Sequence, residues 1–253
     1  MRLTDRCVII TGGGHGIGRA YAHGCAGEGA AVVIADIDGP AAHTVAKSVS
    51  DGGGQAIGLE ADVRSLASMK EVVRAAEEGF GGVDGLINNA GMLTIIPISR
   101  VGFEEIEEAE WDDVLDTNLK GTWFACRAAA PAMRRRGGGS IVNISSGTFF
   151  LGSPTRAHYV ASKGAVIGLS RVLSRELASS NIRVNVIVPG STLSEDDPSE
   201  EVVQMRSAPI SNRSIKRIEV PEDLTGAAVF FLSGDSSYVT GQTLVVEGGG
   251  ILH

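Results

Sequence analysis

The chain has 253 residues, with 22 Lys and Arg against 30 Asp and Glu, a formal net charge of −8 and a pI near 5.2. That balance excludes nucleic-acid binding, because a phosphate backbone demands clustered cations. No apolar run approaches the ~20 residues of a membrane span, and the length buries roughly three quarters of the unfolded surface without a metal or disulfide staple.

The opening MRLTDRCVII sets Asp5 and Arg6 before a very short apolar run, which is not a signal-peptide pattern. Cys7, Cys25 and Cys126 are scattered, without CxxC or metal-ligand spacing. They predict reduced, mostly core thiols, no metal site and a cytoplasmic location. CVIIT (7–11) reads as a first strand, and TGGGHGIG, Thr11 to Gly18, follows it and opens a helix. Gly12, Gly16 and Gly18, with Gly14, His15 and Ile17 between them, permit a tight turn. Such a turn lets a pyrophosphate rest on the helix N-terminus, although the spacing departs from the usual GxGxxG.

AVVIAD (31–36) reads as the second strand and ends at Asp36. A carboxylate about twenty residues past the glycines can bind the adenosine ribose hydroxyls; the competing reading is a cap for the helix near Pro40. Asp36 repels a 2′-phosphate, Ile37 offers no cation to offset it, and His15 is mostly neutral at pH 7. NAD is therefore expected rather than NADP. Helical periodicity runs from Ser65 to Phe80, and DGLINN (84–89) supplies the fourth strand. Arg134-Arg135-Arg136 reads as a solvated helix end, where cations suit the helix dipole.

SIVNIS (140–145) and RVNVIV (183–188) read as further buried strands, with a helix from Tyr159 to Ala178 between them. This alternation predicts an α/β fold: a doubly wound parallel sheet with helices on both faces. No linker or repeat interrupts it, so residues 1–253 are expected to form a single Rossmann-like domain. The 34 glycines fit many tight turns. Two stretches break the pattern, at about 92–110 and 191–220. Both follow strand C-termini, where open α/β sheets bind ligands. The second begins with the polar SEDDPSEE and is expected to be a mobile flap.

In YVASKG, Tyr159 and Lys163 stand at i and i+4 and share a helix face. Lowering a tyrosine pKa by about two units needs about 2.7 kcal/mol. A cation about 4–5 Å away supplies roughly 3–4 kcal/mol at an effective dielectric near 20. The pair is chemically capable of proton transfer. His158 points about 100° away from Tyr159 and is expected on the pocket wall or the helix surface.

In one order, TGGGHGIG, Asp36, Asp62-Val63, Asn88-Asn89-Ala90-Gly91, Asn118, Ser146, Tyr159, Lys163 and Pro189-Gly190 resemble the short-chain dehydrogenase/reductase family. The resemblance runs from Arg6 to the C-terminus and is poor only in the two ligand-side loops. It implies about seven strands and four catalytic residues. Tyr159 would be the general acid/base. Lys163 would tune it and hold the nicotinamide ribose, Ser146 rather than Ser145 would bind the substrate oxygen, and Asn118 would orient a relay water. For the cofactor it implies contacts from the glycine turn, Asp36, Ile37, Asp62 to the adenine, Val63, Asn89, Ala90 and Gly91. Pro189, Gly190, Thr192 and Ser194 would serve the nicotinamide side.

By the same resemblance Ile96, Phe149, Phe150 and Met205 would join Ser146 and Tyr159 around the substrate. That lining suggests a small, largely apolar secondary alcohol or ketone, not a phosphorylated or polyanionic one. The segments SGTFFLGSP and Pro221 to Gly249 look closest to NAD-dependent members acting on alcohols of ring compounds, such as 1-phenylethanol or pyridoxal dehydrogenases. A 3-oxoacyl thioester reductase is the alternative enzyme, and a non-catalytic dinucleotide-binding sensor or scaffold the alternative of another class. The small-residue runs ACRAAAPAM (125–133) and ASKGAVIGL (161–169) suit the family's helix interface, so a homotetramer or homodimer is expected.

Overall fold

Residues 1–93 and 95–252 are described in a computed structural model of the chain. The Val/Ile runs form the strands β1 (Cys7–Thr11), β2 (Ala31–Asp36), β4 (Gly85–Asn88), β5 (Gly139–Ile144) and β6 (Ile182–Pro189). The sequence reading did not mark β3 (Gln55–Glu60) as a run of its own, and β7 (Thr243–Val246) completes the sheet. QAIGLE is hard to see as a strand because it sits at the sheet edge with both ends exposed. All pairings are parallel, in the order β3-β2-β1-β4-β5-β6-β7.

Two apolar layers hold this Rossmann-like α/β unit. On one face, Ile9, Val33, Leu86, Ile141 and Val184 pack against α3 (Leu66–Phe80) and α5 (Gly121–Arg135). On the other, Val8, Ile10, Ile34, Ile87 and Val142 meet α1 (Gly16–Gly27), α2 (Gly39–Asp51) and α9 (Glu222–Leu232). Alternate residues of each central strand thus face opposite layers, which is why these strands read as unbroken apolar runs. Cys7, Cys25 and Cys126 are buried, and burial pushes each thiol up to about 12. Among the described residues no helix is long and apolar enough to cross a membrane, and no group of His, Cys, Asp and Glu is placed to hold a metal.

The strand order reverses between β1 and β4, and the crevice outside their carboxyl ends is where such sheets take ligands. Around that end lie α4 (Glu108–Leu115), α6 (Gly147–Leu151), α7 (Ala157–Glu176) and α8 (Glu200–Ser207). Helix α8 lies within the stretch expected to be a polar flap. That stretch is tied to its surroundings by ion pairs of Arg19 with Asp196 and Arg213 with Glu247, and within itself by Arg206 with Glu195 and Arg213 with Glu219. The arginines triplet ends α5: Arg135 pairs with Glu77 and Arg136 with Asp84.

Candidate active site

The glycine turn is an assembly of backbone on backbone. Gly12 and Gly16 have φ of 62° and 46°, a left-handed region that a side chain resists. A Cβ at Gly18 would lie 1.9 Å from the Gly12 carbonyl oxygen, and one at Gly12 would lie 2.7 Å from Ala90 Cα. The turn is stitched to the NNAG segment by Asn89 Nδ2, which donates to the Gly12 carbonyl at 2.8 Å. Thr11 Oγ1 accepts from the amides of Asn89 and Ala90, both at 3.2 Å. The sequence reading gave Thr11 no role; a hydroxyl at the last residue of β1 was the available signal.

Asp36 is buried at the end of β2, where Oδ2 accepts from the Gly14 amide at 2.8 Å and Oδ1 from the Asp38 amide at 3.0 Å. The cap of α2 is Asp38, which accepts from the Ala41 amide at 3.0 Å, so Asp36 is free of that duty. Ile37 beside it is exposed, and His15 Nε2 lies 3.1 Å from the Asp38 carboxylate. Asp62 is held by Arg64 through Nε at 3.1 Å and Nη2 at 2.9 Å, which pulls its carboxyl below the usual range.

These groups wall a cavity of about 410 Å³. Its cofactor side is lined by Gly12, His15, Gly16, Ile17, Asp36, Ile37, Asp62, Val63, Asn89, Ala90 and Gly91. Farther along stand Ser146, Tyr159, Lys163, Pro189, Gly190, Thr192 and Ser194. Gly14 and Gly18 do not line it; they let Asp36 and the Gly12 carbonyl approach. Asn118 also stands behind the wall, fully buried in a π-helical turn, Asp116–Lys120, between α4 and α5. Its Oδ1 accepts from the Met92 amide at 2.8 Å and its Nδ2 donates to Ser162 Oγ at 3.0 Å. A Cβ on Gly91 would sit 3.1 Å from Asn118 Oδ1 and 3.4 Å from Lys163 Nζ, so that glycine keeps the space between them open.

Ser146 caps the short α6 and shares the cavity wall with Tyr159; Thr148 Oγ1 donates to its Oγ at 3.0 Å. Ser145 instead donates to the Lys163 carbonyl at 2.8 Å, which fastens α7 to β5. Lys163 Nζ donates to the Ile144 carbonyl at 3.0 Å and stands 5.8 Å from the centre of the Tyr159 ring. Burial lowers Lys163 to about 8. It also raises Tyr159, against which the Ser146 hydroxyl and the cations of Arg156 and Arg206 work. Lys163 is not among the cations that lower Tyr159 in this arrangement. Tyrosine and lysine are both taken out of water, which favours the neutral form of each.

Four further expectations meet a different arrangement. Phe149 rests on Gly164, where a Cβ would be 2.7 Å from the ring, and is half exposed. Phe150 packs beside Ile167, Val186 and Val188, edge-on to Phe149 at 5.2 Å. Met205 is exposed, and none of the three is among the residues that line the cavity. Ile96 does line it, with Met92, Leu93 and Ile95. His158 is neither pocket wall nor helix surface: it is wholly buried, with Nε2 3.6 Å from the Glu110 carboxylate.

Two features escaped the sequence. Arg206, on α8, lines the cavity. Beneath the 189–192 turn lies a buried cluster of Arg213, Glu219 and Glu247. There Glu219 accepts from the Gly190 amide at 3.1 Å and from Thr192 Oγ1 at 2.6 Å, and Arg213 Nη2 pairs with it at 3.1 Å. Residues so far apart in sequence carry no local pattern.

A family model described as Enoyl-(Acyl carrier protein) reductase matches residues 12–250. The chain is 36% identical to 2-(S)-hydroxypropyl-CoM dehydrogenase 3 of Xanthobacter autotrophicus, covering 98% of this chain and 97% of that one. It is 34% identical to the 3-oxoacyl-[acyl-carrier-protein] reductase of Thermotoga maritima over 98% of this chain and 99% of that one. A crystal structure described as a short-chain alcohol dehydrogenase of Sinorhizobium meliloti superposes with a TM-score of 0.89. That match has 34% identity over 98% of this chain and 97% of the other.

Proposed function

The chain belongs to the short-chain dehydrogenase/reductase family, is an oxidoreductase of CH–OH groups, and we propose that it uses NAD to interconvert a secondary alcohol and its ketone, with Tyr159 as general acid/base. The observation that carries this reading is the meeting of Ser146, Tyr159 and Lys163 on one wall of a cavity whose other end is the glycine turn.

The residues present fit a nicotinamide dinucleotide. The α1 N-terminus offers backbone amides with no Cβ at Gly12, Gly16 or Gly18 to bar close approach. Asp36, Ile37 and Asp38 present carboxylates and an apolar side chain where a 2′-phosphate would need cations, which favours NAD over NADP. When bound, the nicotinamide gives or takes the hydride. The chain's own residues handle the proton. The Ser146 hydroxyl and the phenol hold the substrate oxygen, and Tyr159 takes its proton during oxidation and returns it during reduction. Lys163, lowered to about 8 by burial, keeps its charge at neutral pH, and that charge would stabilise a phenolate developing beside it. Asn118, bonded to Met92 and Ser162 behind the wall, would orient a relay water in the space that Gly91 leaves open by Lys163.

A titration series tests the assignment. NAD+ and NADP+ are offered with a panel of secondary alcohols, reduced nicotinamide absorbance is followed, and Tyr159→Phe is run alongside. Turnover that persists undiminished in that variant, or a preference for NADP+, overturns the corresponding part. The second reading, a 3-oxoacyl thioester reductase, is favoured by the similarity to the Thermotoga maritima enzyme. Reduction of a 3-oxoacyl thioester in preference to every simple ketone would select it.

A homodimer or homotetramer through α5 and α7 accords with apolar side chains left exposed on them, Trp123 and Val172. A monomer in sedimentation would remove it. We place the chain in the cytoplasm as one domain spanning 1–253, with the three buried free thiols in support.

A further inference from the structure

The cavity wall that holds Ser146 and Tyr159 also holds a cation, Arg206. Arg156 immediately precedes α7, and so sits three residues ahead of Tyr159, about one turn along the same helix face. The residue before it, Thr155, is held at φ 64°, a left-handed conformation that a β-branched side chain adopts only under constraint. The Arg156 guanidinium is partly buried, and its Nε is enclosed without a hydrogen-bond partner. It forms no ion pair with any described residue.

Arg206 reaches the same region from α8, a separate segment, and lines the cavity with Tyr159 and Ser146. Its charge is shared with Glu195, to which Nη2 donates. Arg156 and Arg206 lie close enough to act electrostatically on each other and on Tyr159, and Arg100 adds a third cation near Arg156. The nearby carboxylates are committed elsewhere: Glu195 to Arg206, and Glu110 to the amide and hydroxyl of Ser99. Gathering like charges and burying a guanidinium nitrogen unpaired costs stability. A ligand that brings an oxyanion removes that cost, and the planar guanidinium fork matches such an oxyanion through two parallel hydrogen bonds.

We propose that Arg156 and Arg206 form an oxyanion subsite beside Tyr159, and that the substrate is a secondary alcohol or ketone bearing one terminal anionic group a few bonds from the reacting carbon. The inference rests on the alcohol/ketone reading above and refines it. Leu93, Ile95 and Ile96 then cover the carbon skeleton while the arginines fix its far end, which sets the reacting carbon in register with Tyr159. A single anionic group narrows the expectation of a small, largely apolar substrate that is not polyanionic.

The test is a set of ketones matched in shape and differing in charge: acetoacetate, levulinate and the next homologue, each against its methyl ester. Sulfonate and phosphate analogues of levulinate separate the possible oxyanions. For the best chain length, kcat/KM of the acid is expected to exceed that of its ester by at least about tenfold, carried mainly in KM, as a charge-assisted hydrogen bond warrants. In Arg156→Gln and in Arg206→Gln the acid-to-ester ratio falls toward one, and Arg156→Lys restores part of it. Turnover of the esters equal to or better than the acids in the wild-type protein overturns the subsite and leaves the dehydrogenase reading standing. Absence of turnover with every acid and ester overturns both.

Discussion

From Gly12 to Ala90 the cofactor end of the cavity is built from backbone lying against backbone, with Gly18 pressed on the Gly12 carbonyl and Thr11 and Asn89 stitching the two turns. The substrate end is built from side chains of three distant segments. Leu93, Ile95 and Ile96 come from the loop after β4, Ser146 and Tyr159 from around α6 and α7, and Arg206 from α8. A backbone cradle admits almost no substitution, because any added atom meets a main-chain atom that cannot turn aside. A wall of side chains tolerates change and sets selectivity. One fold thus combines a fixed nucleotide seat with an adjustable substrate wall.

Substitutions that strike one end and spare the other measure how separate they are. Tyr159→Phe is expected to have the largest effect, a loss of about 10²–10⁴ in kcat, with NADH affinity by fluorescence titration within about threefold of wild type. A comparable loss of NADH binding would show that the two ends are coupled. Gly18→Ala should act in the opposite sense. The clash with the Gly12 carbonyl removes about 3 kcal/mol of stability in a denaturant melt and weakens NADH binding, whatever the substrate. A variant as stable as wild type would break the picture of a rigid seat.

Lys163→Met separates stability from activity. Burial takes the lysine from 10.5 to about 8 in the folded chain, so between those values the unfolded chain binds more protons, and wild-type stability rises with pH. The penalty is fully present below pH 8 and gone above 10.5. Lys163→Met should therefore lose turnover yet gain on the order of 2 kcal/mol at pH 7, and that gain should vanish as the pH is raised through this window. A gain independent of pH would mean that folding leaves the pKa of Lys163 where it is in the unfolded chain. The smallest effect is expected of Asp36→Asn: a shift of about tenfold toward NADPH in relative Kd, with kcat on the saturated enzyme little changed. No shift would deny Asp36 its place on the ribose.

What was legible follows the same division. The central strands could be read because burial on both faces leaves unbroken apolar runs. The glycine turn could be read because only glycine satisfies φ of 62° at Gly12 and contact with a carbonyl at Gly18. Tyr159 and Lys163 could be paired because the helix period fixes which residues share a face. The edge strand β3 escaped, since an exposed edge needs no apolar run. Phe149, Phe150 and Met205 stand off the cavity lining for a related reason: closeness in sequence to Ser146, or to a polar loop, does not decide where a ring or thioether is directed.

The sequence by itself determined the order of strands and helices, the nucleotide turn and the chemical capacity of the Ser146, Tyr159 and Lys163 trio, because each rests on local geometry over a few residues. Tertiary structure alone decided that Arg206 joins Tyr159 in the cavity wall, that Asn118 stands in a π-helical turn behind it, and that Arg213 and Glu219 share a buried cluster with Glu247. These are meetings between segments tens of residues apart. Their partners are chosen by how the sheet and its loops close over one cavity, and no spacing along the chain records that choice.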